Sequence, residues 1–307
     1  MSKNHHHSFN CTKCWQEKWG ELPGALGERR AVLLFQLSEY AHRAGQWSQS
    51  LEFAEEYLAM RLEDPTRKED QADALAAIAI CYWEMSRKDE AYAHLANALT
   101  LFREVECTYS QAWENTMCWW LYQDERYDEA RDAYLLSLAH NRYVEDDQAA
   151  CYDLLMIGNT YFKQEQYADS LPYFRQARTL AKSIGDKRHT AMSDFNIGEA
   201  LVHLGDGFEG ETYVRKALHV FELYEHQTYS AEAHKMIGMA QSVQGKYDDA
   251  VESLERAARY FGRAKNKKFD EMVATNTELA KNLRIVGRSD DAAEIERRTS
   301  TLKELLA

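Results

Sequence analysis

One pattern recurs seven times along the chain: a small residue on an apolar helix face, a large residue three positions on, a turn, and an alanine-rich second segment. Its clearest copies are Ile157-Gly158…Tyr161…Tyr167, Ile197-Gly198…Gly205…Ala217 and Ile237-Gly238…Gly245…Tyr247…Ala250…Ala257. The small residue falls at Ser38, Ala79, Cys118, Gly158, Gly198, Gly238 and Ala280, which by subtraction are 41, 39, 40, 40, 40 and 42 apart. A fixed period in this range is the signature of a helical solenoid, in which each unit buries its apolar face only against its neighbours. The expectation is an all-α, right-handed superhelix of about seven helix pairs, acting as a binding surface and not as an enzyme.

The repeat can be read residue by residue in the fourth unit. Its first helix (helix A) reads CYDLLMIGNTYFKQ, with Leu154, Ile157, Gly158 and Tyr161 three or four apart and therefore on one face. Gly158 weakens the helix, but its missing side chain lets a partner helix approach. After a turn at Glu165-Gln166, helix B places Leu171, Phe174, Ala177, Leu180 and Ile184 on one face. Pro172 is read as lying near the start of helix B, where a missing N–H costs little. The fifth unit, GDGFEGETYV, departs from the pattern, so its second helix is expected to start late or to be kinked. The last stretch, IERRTSTLKELLA, reads as a polar end cap that leaves Leu302, Leu305 and Leu306 available for self-association.

Composition narrows the function. The net charge of −13 argues against a nucleic-acid partner, because phosphate binding needs a basic face. The charge is uneven: residues 1–150 carry 15 Lys+Arg and 26 Asp+Glu, so the N-terminal half favours basic partners. No apolar run is long enough to cross a bilayer and the opening residues lack the apolar core of a signal peptide, so a cytoplasmic location is expected, with no membrane association. Scattered cysteines (Cys81, Cys107, Cys118, Cys151) agree with free thiols.

These helix pairs resemble the tetratricopeptide repeat, and the resemblance covers roughly residues 30–300. Two departures are plain: the period is near 40 instead of 34, and the proline that closes helix B is missing. Long repeats of this kind resemble those of kinesin light chains and of intracellular peptide-pheromone receptors of Gram-positive bacteria and their phages. Residues 1–29 are then a short N-terminal segment, partly disordered or a capping helix, too short for the effector module such receptors carry. Residues 301–307 end the capping helix.

The resemblance implies that helix A lines a concave groove. Carried onto the units, the inward positions give candidate ligand-binding residues Asn115, Trp119 and Tyr122 in the third, Tyr152, Asn159, Phe162 and Lys163 in the fourth, Phe195 and Asn196 in the fifth, and Lys235 in the sixth. The same positions include Trp83 and Glu199. Asparagine amides can pair with the C=O and N–H of a peptide unit, aromatic rings can take its side chains, and Lys163 and Lys235 can contact a carboxylate. The reading set against this one is that rings at helical spacing are packed core.

Signals for chemistry are weak. His5-His6-His7 and Cys11-Thr12-Lys13-Cys14 offer soft ligands, but no second CxxC completes a zinc site, so no cofactor is expected. No HExxH, phosphate loop, nucleophile elbow or dinucleotide fingerprint is present. The dispersed histidines show no acidic or cysteine partner at a working spacing. The implied function is a receptor or adaptor that holds a peptide or protein segment. The alternatives are a scaffold acting through self-association or a folded partner, and a metal-binding or enzymatic protein using the N-terminal cysteines and histidines.

Overall fold

The computed structural model describes residues 12–107, 110–263 and 268–306. Among them there is no β-strand. A first helix, α1 (Thr12–Glu21), and a single 3₁₀ turn (Leu22–Gly24) precede seven helix pairs. These are α2 (Gly27–Arg43) with α3 (Trp47–Leu62), α4 (Lys68–Glu84) with α5 (Lys88–Glu104), and α6 (Ser110–Gln123) with α7 (Tyr127–Tyr143). There follow α8 (Asp147–Lys163) with α9 (Tyr167–Ser183), α10 (Lys187–His203) with α11 (Gly207–Leu223), α12 (Gln227–Val243) with α13 (Tyr247–Arg263), and α14 (Phe269–Ile285) with α15 (Ser289–Leu306). None of these helices is long and apolar enough to cross a membrane. The chain forms two compact units, residues 1–120 and 121–307.

Most connections have three residues and one design, which explains the regular period. After α10, Leu204 closes the helix, Gly205 turns left-handed at φ +88°, and the Asp206 N–H returns to the Leu201 carbonyl at 2.9 Å. This six-to-one bond satisfies a carbonyl that the helix end leaves open. Asp206 then caps the next helix by accepting from the Glu209 N–H at 3.0 Å, as Asp146 does for Ala149 and Asp186 for His189. His189 also bonds Asp186 through its ring at 2.7 Å, so this histidine does have an acidic partner, three residues back on the cap. The left-handed position need not be glycine: Glu165 occupies it at φ +60°.

The small residue of each repeat sits where the two helices of a pair come closest. A Cβ built at Gly198 would lie 2.5 Å from Val214 Cγ2, and one at Gly238 would lie 2.6 Å from Leu254 Cγ. Around these contacts each pair contributes a fully buried set, such as Leu154, Ile157 and Phe174 in the fourth pair. Cys81, Cys118 and Cys151 are buried free thiols that act as small core residues. Burial pushes the Cys151 thiol up to about 11.

Three local expectations need correction. Helix α11 is neither late nor short: it runs Gly207–Leu223, in register with α9 and α13. Gly207 replaces the aromatic that opens α9 and α13 because α12 comes too close for a side chain; its Cβ would lie 2.5 Å from the Ala240 carbonyl oxygen. Pro172 is the sixth residue of α9, beyond the first turn, so the Ala168 carbonyl loses its helical donor. Leu302 is half-buried on a shallow groove with Leu279, Leu283 and Ile295, and is not fully exposed.

In the second unit, α8, α10, α12 and α14 each touch the next of the series, whereas the B helices of neighbouring pairs make no comparable contact. The A helices therefore form the crowded, inner layer of this unit, and their free faces share one surface.

Candidate functional site

The shared A-helix surface of the second unit is half-buried, neither core nor open exterior. Tyr152, Asn159 and Phe162 reach it from α8, Met192, Phe195, Asn196 and Glu199 from α10, and Glu232, Lys235 and Met239 from α12. Not every position assigned to the groove belongs to it. Leu155, Met156, Val202 and Met236 are buried, because long helices turn these positions into the contact between neighbouring units.

The amides of two neighbouring repeats meet. Asn196 Nδ2 donates to Asn159 Oδ1 at 3.2 Å, and Asn159 Nδ2 donates weakly to Met156 Sδ at 3.8 Å. Asn196 keeps its carbonyl oxygen, and each amide keeps one N–H, without a further partner among the described residues. Together the pair offers an acceptor and two donors, enough to meet both groups of a single peptide unit.

Rings flank the pair. Phe162 packs edge-on to Tyr167 at 5.0 Å and to His203 at 5.5 Å, while Tyr167 and His203 stack at 4.6 Å and 15°. Tyr152 meets the buried Tyr134 edge-on at 6.4 Å, and Phe195 tilts against Phe221 at 6.2 Å. Tyr152 and Phe195 are thus tied to the core and only partly available. Tyr122 packs on Tyr127 at 5.6 Å, and burial, ahead of the nearby Glu199 charge, pushes its phenol up to about 12.

Charges complete the floor. Glu199 lies within electrostatic reach of Lys235, Lys163, Glu232 and Glu271 but makes no hydrogen bond or ion pair with any described residue. Its removal from water, only partly offset by the lysines, pushes its carboxyl up to about 7. Lys235 is already engaged: its ammonium binds Glu271 Oε2 at 2.5 Å, and Lys268 binds Glu232 at 2.6 Å. The carboxylate partner expected from a ligand is therefore supplied by α14, although Lys163 remains exposed with no ion pair among the described residues.

Eight of the ten candidates lie in the second unit. Asn115 and Trp119 lie in the first, where Asn115 Oδ1 accepts from Gln111 at 3.3 Å and Trp119 is 44% exposed. Trp83 is packed, stacked on Trp120 at 4.5 Å and 2°. Cys11 and the Cys14 side chain lie outside the described residues, among which no cluster of histidine, cysteine and acidic side chains could hold a metal. The acidic members Glu199, Glu232 and Glu271 are absent from the ten. Glu199 and Glu232 stand at inward helix A positions in the sequence, but in an acidic chain a lone glutamate reads as solvated surface; Glu271 lies outside those positions.

Residues 188–261 match the family model of the tetratricopeptide repeat. No curated protein matches the sequence significantly. Among solved structures the chain is similar to the apo form of RapI, at 16% identity and a TM-score of 0.67, covering 89% of this chain and 97% of that one. It is similar to the apo quorum sensor NprR from B. thuringiensis at 16% identity and 0.67, covering 95% and 81%. A Rap protein complexed with Competence and Sporulation Factor matches at 12% identity and 0.56, covering 97% and 81%.

Proposed function

We propose that this chain, whose residues 188–261 match the tetratricopeptide repeat, is a non-enzymatic binding protein holding an extended peptide or protein segment on the A-helix face of its second unit. The observation that carries this reading is the Asn159–Asn196 pair at 3.2 Å, which leaves both an acceptor and a donor on a half-buried surface. An extended backbone satisfies both groups whatever its sequence, and Phe162 and the half-buried Tyr152 and Phe195 give its side chains apolar area.

The unpaired Glu199 adds a preference. A carboxyl held out of water among aromatic rings is stabilised by a cation, so a segment with lysine, arginine or a free amino terminus at that point binds better than an acidic one. The net negative charge of the chain acts in the same sense over longer range. A location inside the cell and a role as receptor or adaptor belong to this reading; the likeness to the quorum sensor NprR agrees with it at the level of fold.

The test is a selection from a random-peptide display library on the intact chain, repeated with an Asn159→Ala/Asn196→Ala variant. Enrichment of basic peptides that need both asparagines supports the reading. A library that yields nothing, or the same peptides with the variant, contradicts it.

A further inference from the structure

The second unit holds a concavity of about 440 Å³ lined from the first turns of α10 and α12 and the end of α11. Its walls are apolar. Phe221 is buried and tilts against the half-buried Tyr229 at 5.2 Å, and the half-buried Met192 and Tyr224, 51% exposed, belong to the same lining. The ring of His226 packs edge-on to Tyr229 at 5.8 Å and extends this wall.

The charged lining has one carboxylate, and it is committed within the chain. Asp186 Oδ1 accepts from the His189 N–H at 2.9 Å, and its Oδ2 meets His189 Nδ1 at 2.7 Å. Lys187 and Arg188 are exposed, and the side chain of neither makes a hydrogen bond, ion pair or ring contact with any described residue. The sequence sets this pair apart. The positions 40 residues away are Asp147 and Gln148 in the preceding repeat and Gln227 and Thr228 in the following one, so of these three repeats only this one places two cations there, in a chain of net charge −13. They stand in the first turn of α10, where the helix dipole favours acids over bases. An anion held between them removes that repulsion.

A concave site of this size with apolar walls and few polar groups is the usual form of a small-ligand pocket. Among the described residues no asparagine, glutamine, serine or threonine lines it, so, unlike the Asn159–Asn196 surface, it has no side-chain amide matched to a peptide unit. An anion on an apolar stem meets both halves of the lining: rings and a thioether for the stem, an ammonium and a guanidinium for the charge. We propose that this concavity binds a small amphipathic acid, its apolar body on Phe221, Tyr229 and Met192 and its carboxylate at Lys187 and Arg188.

Calorimetry on the full chain tests this with phenylacetate as the probe and 2-phenylethanol, phenethylamine, acetate and the peptide acid acetyl-Gly-Phe as comparisons. Phenylacetate should saturate below about 10 mM and bind at least about fivefold more tightly than the alcohol, the amine or acetate, a margin in keeping with exposed cations. Lys187→Gln/Arg188→Gln changes two exposed side chains, so it should keep the fold and bring the acid and the alcohol to equal affinity. Asn159→Ala should leave phenylacetate binding unchanged, which separates this site from the peptide surface of the same unit. Absence of saturation, equal binding of the alcohol, amine or acetate, an undiminished preference for the acid in the double variant, or loss of binding with Asn159→Ala would overturn the proposal. Tighter binding of acetyl-Gly-Phe than of phenylacetate would overturn it as well, by placing a peptide end in the concavity instead of a free acid.

Discussion

A β-carbon at Gly158 would stand 2.4 Å from Cε1 of Phe174, whose ring is fully buried on the partner helix. The glycine is therefore a packing residue, and its helix-weakening cost is the condition for the approach of α9 to α8. Alanine at this position gains about 1 kcal/mol of helix propensity but forces the Phe174 ring from its place, at about 1–3 kcal/mol. Gly158→Ala is expected to lower stability in denaturant titration, and the double variant Gly158→Ala/Phe174→Leu to recover part of the loss.

Glu165 occupies the left-handed position between α8 and α9 at φ +60°, where Gly205 and Gly245 stand in the next two repeats. A side chain there costs about 1–2 kcal/mol that glycine avoids. Glu165→Gly should raise the midpoint of chemical denaturation by the equivalent of about 1 kcal/mol, with no change in helical content.

Asp153 is buried between α8 and α7, where Asn141 Nδ2 donates to its Oδ2 at 2.7 Å. Burial outweighs this bond and pushes the carboxyl up to about 6. Because the folded value is raised above the ordinary one, the protonated form is favoured in the fold. The contribution is present below about pH 4 and is lost as pH rises through about 6. Asp153→Asn should match the parent at low pH and be more stable by roughly 1–3 kcal/mol at neutral pH. Melting temperatures across that range read the difference directly.

The helix pairs were legible in the sequence because the small residue and the turn recur at nearly constant spacing, and each is dictated by local geometry: close approach at Gly198, a left-handed turn at Gly205. What escaped was tertiary. Gly207 looked like a break in the pattern, since the Ala240 carbonyl that excludes its side chain lies on another helix. Likewise Lys235 looked available, since Glu271 is 36 residues further along the chain. Among the inward positions Asn159 and Asn196 are half-buried, whereas Met156 and Met236 are buried, which depends on how closely neighbouring pairs stack.

Glu199 provides a second pH signature, independent of any ligand. Its carboxyl, pushed up to about 7 by burial, favours the fold when protonated, so its contribution fades as pH rises from about 4.5 through 7. Glu199→Gln should melt like the parent in acid and above it in mild alkali. Parallel melting curves at every pH would show that the carboxyl is solvated.

If Asn159 and Asn196 hold a ligand backbone on the second unit, methylating that backbone exposes the contact. For a peptide selected by the intact chain, Kd would be measured for a series carrying one N-methyl group at each successive amide, against the parent and Asn196→Ala. One amide is expected whose methylation weakens binding to the parent about tenfold but adds little once Asn196 is alanine. Uniform tolerance of methylation, or the same loss in both proteins, would contradict it.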